Sequence, residues 1–106
     1  MRLLAVLLVV FMLINTVSSV DPLSFEAWSE VNFKGTVRRF LDEGSYQLSY
    51  IVKSYRWTTN VGTICCVHMC FQGHNVGHHC SSHSASISHA AFDKVVIACG
   101  GTPVIC

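Results

Sequence analysis

Trp28-Ser-Glu-Val-Asn-Phe33-Lys-Gly35 is the stretch that decides the fold, because the chain repeats its pattern. Thirty-eight residues on comes Cys66-Val-His-Met-Cys-Phe71-Gln-Gly73, so that positions 28, 33 and 35 are answered by 66, 71 and 73. A fixed period of about 40 residues marks two copies of one supersecondary unit. An aromatic, then a second aromatic five residues later, then x-Gly, predicts a strand running into a folded hairpin. The ring at Trp28 covers the bend in this reading, and Gly35 supplies a backbone conformation closed to other residues.

Working outward, the neighbouring residues continue the strand pattern. Leu23, Phe25 and Ala27 alternate with Ser24 and Glu26, a period of two with one apolar face. Thr36-Val-Arg-Arg-Phe-Leu41 returns as a second strand rich in β-formers. Asp42-Glu-Gly44 is a turn, Ser45 to Leu48 a short third strand, and Lys53 to Trp57 a fourth with Tyr55 and Trp57 inward. Thr58 to Gly62 links to the second copy, whose first strand is expected over 63–68 and whose last is expected over 93–99. The stretch from Gly73 to Ala91 is rich in His and Ser and shows no clear period. No segment after the leader reads as a helix.

Four short strands per copy, a folded first hairpin and two copies in about 80 residues describe a Greek-key β-sandwich. Here the chain resembles a βγ-crystallin domain. The family pattern is aromatic-x4-aromatic-x-Gly, followed about 20 residues later by a serine in the fourth strand; Trp28, Phe33, Gly35 and Ser54 meet it. In the second copy Phe71 and Gly73 match, and Phe92-Asp-Lys-Val-Val-Ile97 is similar to the family's approach to its last strand. The resemblance spans roughly residues 23 to 99. It implies one domain over 20–106, with motif 1 over about 23–60 and motif 2 over about 61–106. Two residues depart from the pattern: Cys66 stands where an aromatic belongs, and Val96 where the second serine belongs.

Many members of that family bind calcium through a stretch of Asn, Asp, Ser and Thr oxygens near the loops. The corresponding words here are Tyr50-Ile-Val-Lys-Ser54 and Phe92-Asp-Lys-Val-Val-Ile97, with Asp93 the only carboxylate and Lys53 and Lys94 beside it. One acid makes a poor calcium site, so no tight calcium binding is expected. The roles that the resemblance leaves open are structural protein, binding module, protease inhibitor and toxin component.

All six cysteines (Cys65, Cys66, Cys70, Cys80, Cys99 and Cys106) lie in the second half, whereas the first half relies on aromatic rings. Six cysteines allow 15 connectivities. By analogy with the first copy, Cys65 matches Ala27 and points inward, Cys66 covers its hairpin as Trp28 does, and Cys99 aligns with Trp57. A Cys65–Cys99 bridge is therefore expected. The spacing Cys66-x3-Cys70 followed by Cys80 also resembles the helix-bearing half of invertebrate defensins, in which two sulfurs share one helix face. That family closes on Cys-x-Cys, and here the last pair is Cys99-x6-Cys106. The alternative reading is thus a defensin-like host-defence peptide, which requires a helix near 64–72.

All six histidines fall between His68 and His89. With Cys80 beside His78 and His79 they raise the question of zinc or copper, against a solvated loop whose cysteine is oxidised. Their joint titration also makes a pH-sensitive surface conceivable. No pair has zinc-finger spacing, and neither metal nor cofactor is expected.

The start of the chain reads as a secretory signal over residues 1–19. Arg2 forms the basic region, Leu3 to Ile14 the apolar run, and Thr16-Val-Ser-Ser19 the small residues before a cut. A membrane span needs roughly 20 apolar residues, so none is expected. The whole-chain charge of +1 includes Arg2, which leaves six basic residues against six acidic ones. Such neutrality disfavours nucleic acid or an anionic membrane as a partner. No Gly-x-Ser-x-Gly, phosphate loop or spaced carboxylate pair appears, and thiols in an oxidising compartment are consumed in bridges. The expectation is a secreted, extracellular, non-enzymatic structural or binding module whose ligand the sequence does not name.

Overall fold

The computed structural model describes residues 23–60 and 64–106. The expected signal sequence over 1–19 lies outside the described residues, as does the middle of the link at 61–63. Eight strands follow in order: β1 (Ser24–Glu30), β2 (Lys34–Phe40), β3 (Gly44–Gln47), β4 (Ser54–Thr58), β5 (Cys65–Phe71), β6 (His74–His79), β7 (His83–Ala85) and β8 (Lys94–Cys99). No helix occurs among the described residues. The expected helix-free, all-β reading is what the described residues form. The segment that a defensin-like fold needs as a helix is strand β5.

The strands make two antiparallel four-stranded sheets, ordered β2-β1-β4-β7 and β3-β8-β5-β6. The halves trade their third strands. β3 leaves the first half to pair with β8, Tyr46 opposite Val95, and β7 leaves the second half to pair with β4, Ala85 opposite Tyr55. Neither sheet can then form from one half alone.

Alternation explains what faces inward. Phe25 and Ala27 of β1 are fully buried, while Ser24 and Glu26, which alternate with them, are only half-buried. Tyr55 and Trp57 of β4, Val67 and Met69 of β5, and Val95 and Ile97 of β8 fill the space between the sheets. Phe92, on the approach to β8, joins both halves by packing edge-on against Phe25 (6.3 Å) and Tyr55 (5.6 Å). Apolar burial at roughly 25 cal/mol per Å² drives this closure. One group goes unsatisfied: the buried indole N–H of Trp57 has no partner among the described residues.

β8 is buried on both faces, since Val96 and Ala98 lie under the closing segment Thr102–Cys106. That double cover is why Lys94–Cys99 reads as an unbroken apolar run rather than an alternating one. β6 and β7, by contrast, sit at the open edges of their sheets and are mostly exposed. Their polar composition gave no period to read, so the unassigned 73–91 region turns out to hold two strands. The first strand of the second half also runs further than expected, to Phe71.

Candidate functional site

Four of the residues singled out by the repeat meet at one place. Trp28 and Phe33 pack edge to face with ring centroids 5.1 Å apart. The Ser54 hydroxyl, fully buried, donates to the Glu30 carbonyl at 2.6 Å and accepts from the Phe33 N–H at 3.0 Å. The hairpin is folded over and pinned to β4 through that single oxygen. Arg56 lies across the outside, its guanidinium 4.9 Å from the Phe33 ring centroid and 5.7 Å from that of Trp28.

The bend is made by Asn32 and Phe33, with φ near 60° and 58°, and Gly35, one residue into β2, takes the left-handed conformation expected of it at φ 85°. Space requires a glycine there as well. A Cβ there would run into the Ser29 hydroxyl, which holds the Thr36 N–H at 2.9 Å, and would come within 2.7 Å of the Glu30 carboxylate.

The second copy does not reproduce this arrangement. Phe71 is the half-buried last residue of β5, paired with His74. Gln72 and Gly73 form a tight turn at φ 51° and 78°, and a Cβ on Gly73 would meet nothing within 4 Å. Phe33 and Phe71 therefore occupy unlike surroundings, and the match goes no further than spacing and the positive φ that Gly35 and Gly73 share. The physical reason is the missing hydroxyl: Val96 pairs with His68 and Ser45 and can hold no folded hairpin.

Sulfur takes over in that half. Cys65 is bridged to Cys99, Cys66 to Cys80 and Cys70 to Cys106, and no free cysteine remains among the described residues. The Cys65–Cys99 bridge joins directly opposed residues of β5 and β8, the pairing expected. Cys66 does not cover its hairpin as Trp28 does. It clamps the open end of β5 to the residue after β6, beside the Val67–His79 pair. Cys70–Cys106 ties the closing segment to the core.

The most developed concavity lies elsewhere, along the edge where β6 and β7 of opposite sheets come side by side. It is a cleft of about 630 Å³. Met69, Val76, Ile87 and Tyr55 give it an apolar floor and walls, and His79, His83 and His89 line it with Ser84, Ser86 and Ser88. His79 and His83 stack with centroids 3.9 Å apart and planes within 12°. The Tyr55 hydroxyl is 3.0 Å from His79 Nε2. On the outer face His68 stacks on His78 at 5.6 Å, and the Asn75 amide lies 3.1 Å from His68 Nδ1.

Burial, and then the neighbouring His83 and His78, hold the His79 imidazole below its ordinary pKa. Burial followed by His78 does the same to His68. Burial pushes the Tyr55 phenol up, so it remains a neutral hydrogen-bonding group. A histidine cluster was visible in the sequence; that its members share a cleft was not, because they meet only when β6 and β7 end up on the same edge.

Parallel stacked rings direct their lone pairs outward rather than toward a common point. Among the described residues no group of three or more His, Cys, Asp or Glu side chains is arranged to hold a metal ion. Asp93, the one carboxylate at the calcium-type positions, has its backbone engaged: its carbonyl accepts from Leu48 N–H at 2.7 Å and from the Gln47 amide at 2.9 Å. A second depression of about 450 Å³ lies under the closing segment beside β3 and β8. Its one acid, Glu43, already accepts the Cys99 N–H at 2.6 Å.

No protein-family model, no curated protein and no solved structure matches the chain. No helix among the described residues is long and apolar enough to cross a membrane.

Proposed function

We propose that the chain is a secreted, non-enzymatic structural or binding module of the βγ-crystallin type, a Greek-key sandwich without a good calcium site. The observation that carries this reading is the trade of third strands, β3 onto β8 and β7 onto β4, which makes two four-strand units into one domain. The Ser54-pinned hairpin adds to it, being the feature for which the family's serine is needed. The dissimilar second hairpin makes this a divergent member, with bridges where the family uses packing. Three disulfides in a domain this small suit an oxidising, extracellular compartment. The defensin-like alternative lacks its helix and gains no support from the bridges, which join strands and the closing segment.

Deleting residues 20–57 tests the reading. A two-unit sandwich loses the partner of β3's neighbour β8 and the strand that receives β7, so the remainder should unfold and scramble its bridges. A remainder that keeps all three native bridges and a cooperative melting transition would exclude the sandwich module. Calorimetric titration with calcium should show no micromolar binding. Sequencing the exported product should find Val20 as its first residue.

A further inference from the structure

The cleft between β6 and β7 combines an apolar floor with an imidazole rim. Val76 and Ile87 expose 37% and 55% of their surface there, beside the Tyr55 ring and the Met69 side chain. Met69 closes the bottom, and Gly77 above it leaves room that a Cβ would take, 2.7 Å from the Met69 methyl. The rim carries His79, His83 and His89, and no Asp or Glu lines the cleft. The charged side chains in the two depressions beside it are Lys53 and Arg56, both cations. His78, on the outer side of β6, stacks on His68 and adds a further imidazole rather than a counter-charge. Among the described residues no acid lines this edge to neutralise its imidazoles once they take up protons.

We propose that the β6–β7 cleft is a binding site for amphipathic carboxylates, with the aliphatic body on Met69, Val76 and Ile87 and the carboxylate among His79, His83 and His89, loaded on acidification.

The choice of ligand follows from charge and surface together. An apolar body alone would bind equally at any pH, and a bare anion would leave the floor uncovered. An imidazole of ordinary pKa gains charge below about pH 6.5, and one held lower by burial, as His79 is, only at lower pH, whereas an ordinary carboxylate keeps its charge down to about pH 4.3. Between those limits the two are opposite in sign. The serine hydroxyls of Ser84 and Ser86 stand on the same wall and can donate to the carboxylate. The proposal deepens the binding-module reading. It requires only the folded cleft, so a negative titration on a protein with native bridges sinks it and leaves the sandwich reading intact.

Octanoate is the probe, titrated calorimetrically into the oxidised protein at pH 7.5 and pH 5.5, with octanol as its uncharged counterpart. Octanoate should bind about fivefold tighter at pH 5.5, the upper end of what one solvent-exposed charge pair gives. Octanol should show no such gain. In the double variant H83Q/H89Q, which changes two exposed side chains and leaves His79 as the one rim imidazole, the gain on acidification should shrink to less than half. In I87S affinity should fall at both pH values. Absence of octanoate binding at both pH values overturns the proposal. So does a gain shared by octanol, or one that is undiminished in H83Q/H89Q.

Discussion

The two halves of this domain solve one problem by different means. Each must fasten its first hairpin and its fourth strand to a common interior. The first half does so with rings and one hydroxyl: Trp28 on Phe33, Arg56 over both, and Ser54 bonding two backbone groups at once. The second half has no such hydroxyl, and its hairpin is a plain tight turn held by Cys66–Cys80, with Cys65–Cys99 and Cys70–Cys106 completing the frame. The contrast teaches that a folded hairpin depends on a short set of cooperating groups. Where one is missing, the chain needs a different fastening, and here covalent bridges provide it.

The largest expected effect comes from removing the sulfur fastening. Replacing Cys65 and Cys99 together by serine should cost about 2–5 kcal/mol in denaturant unfolding. Amide exchange should accelerate first in β5, β6 and β8, with β1 and β2 following only on global opening. Equal acceleration in all strands would mean that the halves are not fastened separately.

Next comes the hydroxyl. Ser54→Ala leaves the Phe33 N–H and the Glu30 carbonyl without their partner in a buried setting, and should cost about 1–3 kcal/mol. Its mark should be local, with faster exchange over residues 30–36 while the three bridges stay native.

Two glycine substitutions sharpen the comparison further. Gly35→Ala meets both the unfavourable φ of 85° and the Ser29 and Glu30 side chains, and should cost about 2–3 kcal/mol. Gly73→Ala meets only the φ of 78° in open space and should cost about 1 kcal/mol, at the low end for left-handed strain. Equal costs would show that the two hairpins are held alike after all.

The smallest effect is that of pH, and it too should divide the halves. His68 and His79 have pKa values lowered in the folded state, by burial first and by neighbouring histidines second. The unfolded chain then binds more protons than the folded one near and below about pH 6.5. Stability from these groups is complete above that pH and declines as pH falls below it. Both side chains are partly exposed, so the decline should be modest. Denaturation midpoints at pH 7.5, 6.5 and 5.5 should fall in that order for the native protein, and should fall less steeply in His79→Gln, where the His68 contribution remains. A midpoint that rises on acidification contradicts the sign.

Much of the fold could be read before any coordinates. Strands β1 to β4 follow from alternation around Phe25, Ala27, Tyr55 and Trp57, and the first hairpin from Trp28, Phe33, Gly35 and Ser54. β6 and β7 could not, because edge strands facing solvent need no apolar face and leave no period. The repeat of spacing between Phe33 and Phe71 misled for a related reason. Spacing records where aromatics and glycines fall, while the conformation depends on a serine twenty-one residues away.

What the sequence alone determined is therefore local: the all-β character, a cysteine-free half resting on aromatics, a sulfur-rich half, and a histidine-rich stretch between His68 and His89. Each is set by residue type and near-neighbour periodicity. Tertiary structure alone decided which third strand joins which sheet, which of 15 cysteine connectivities forms, and which histidines share a cleft. Those outcomes join residues far apart in the chain, and they are settled by the one arrangement that buries both apolar faces in a single core.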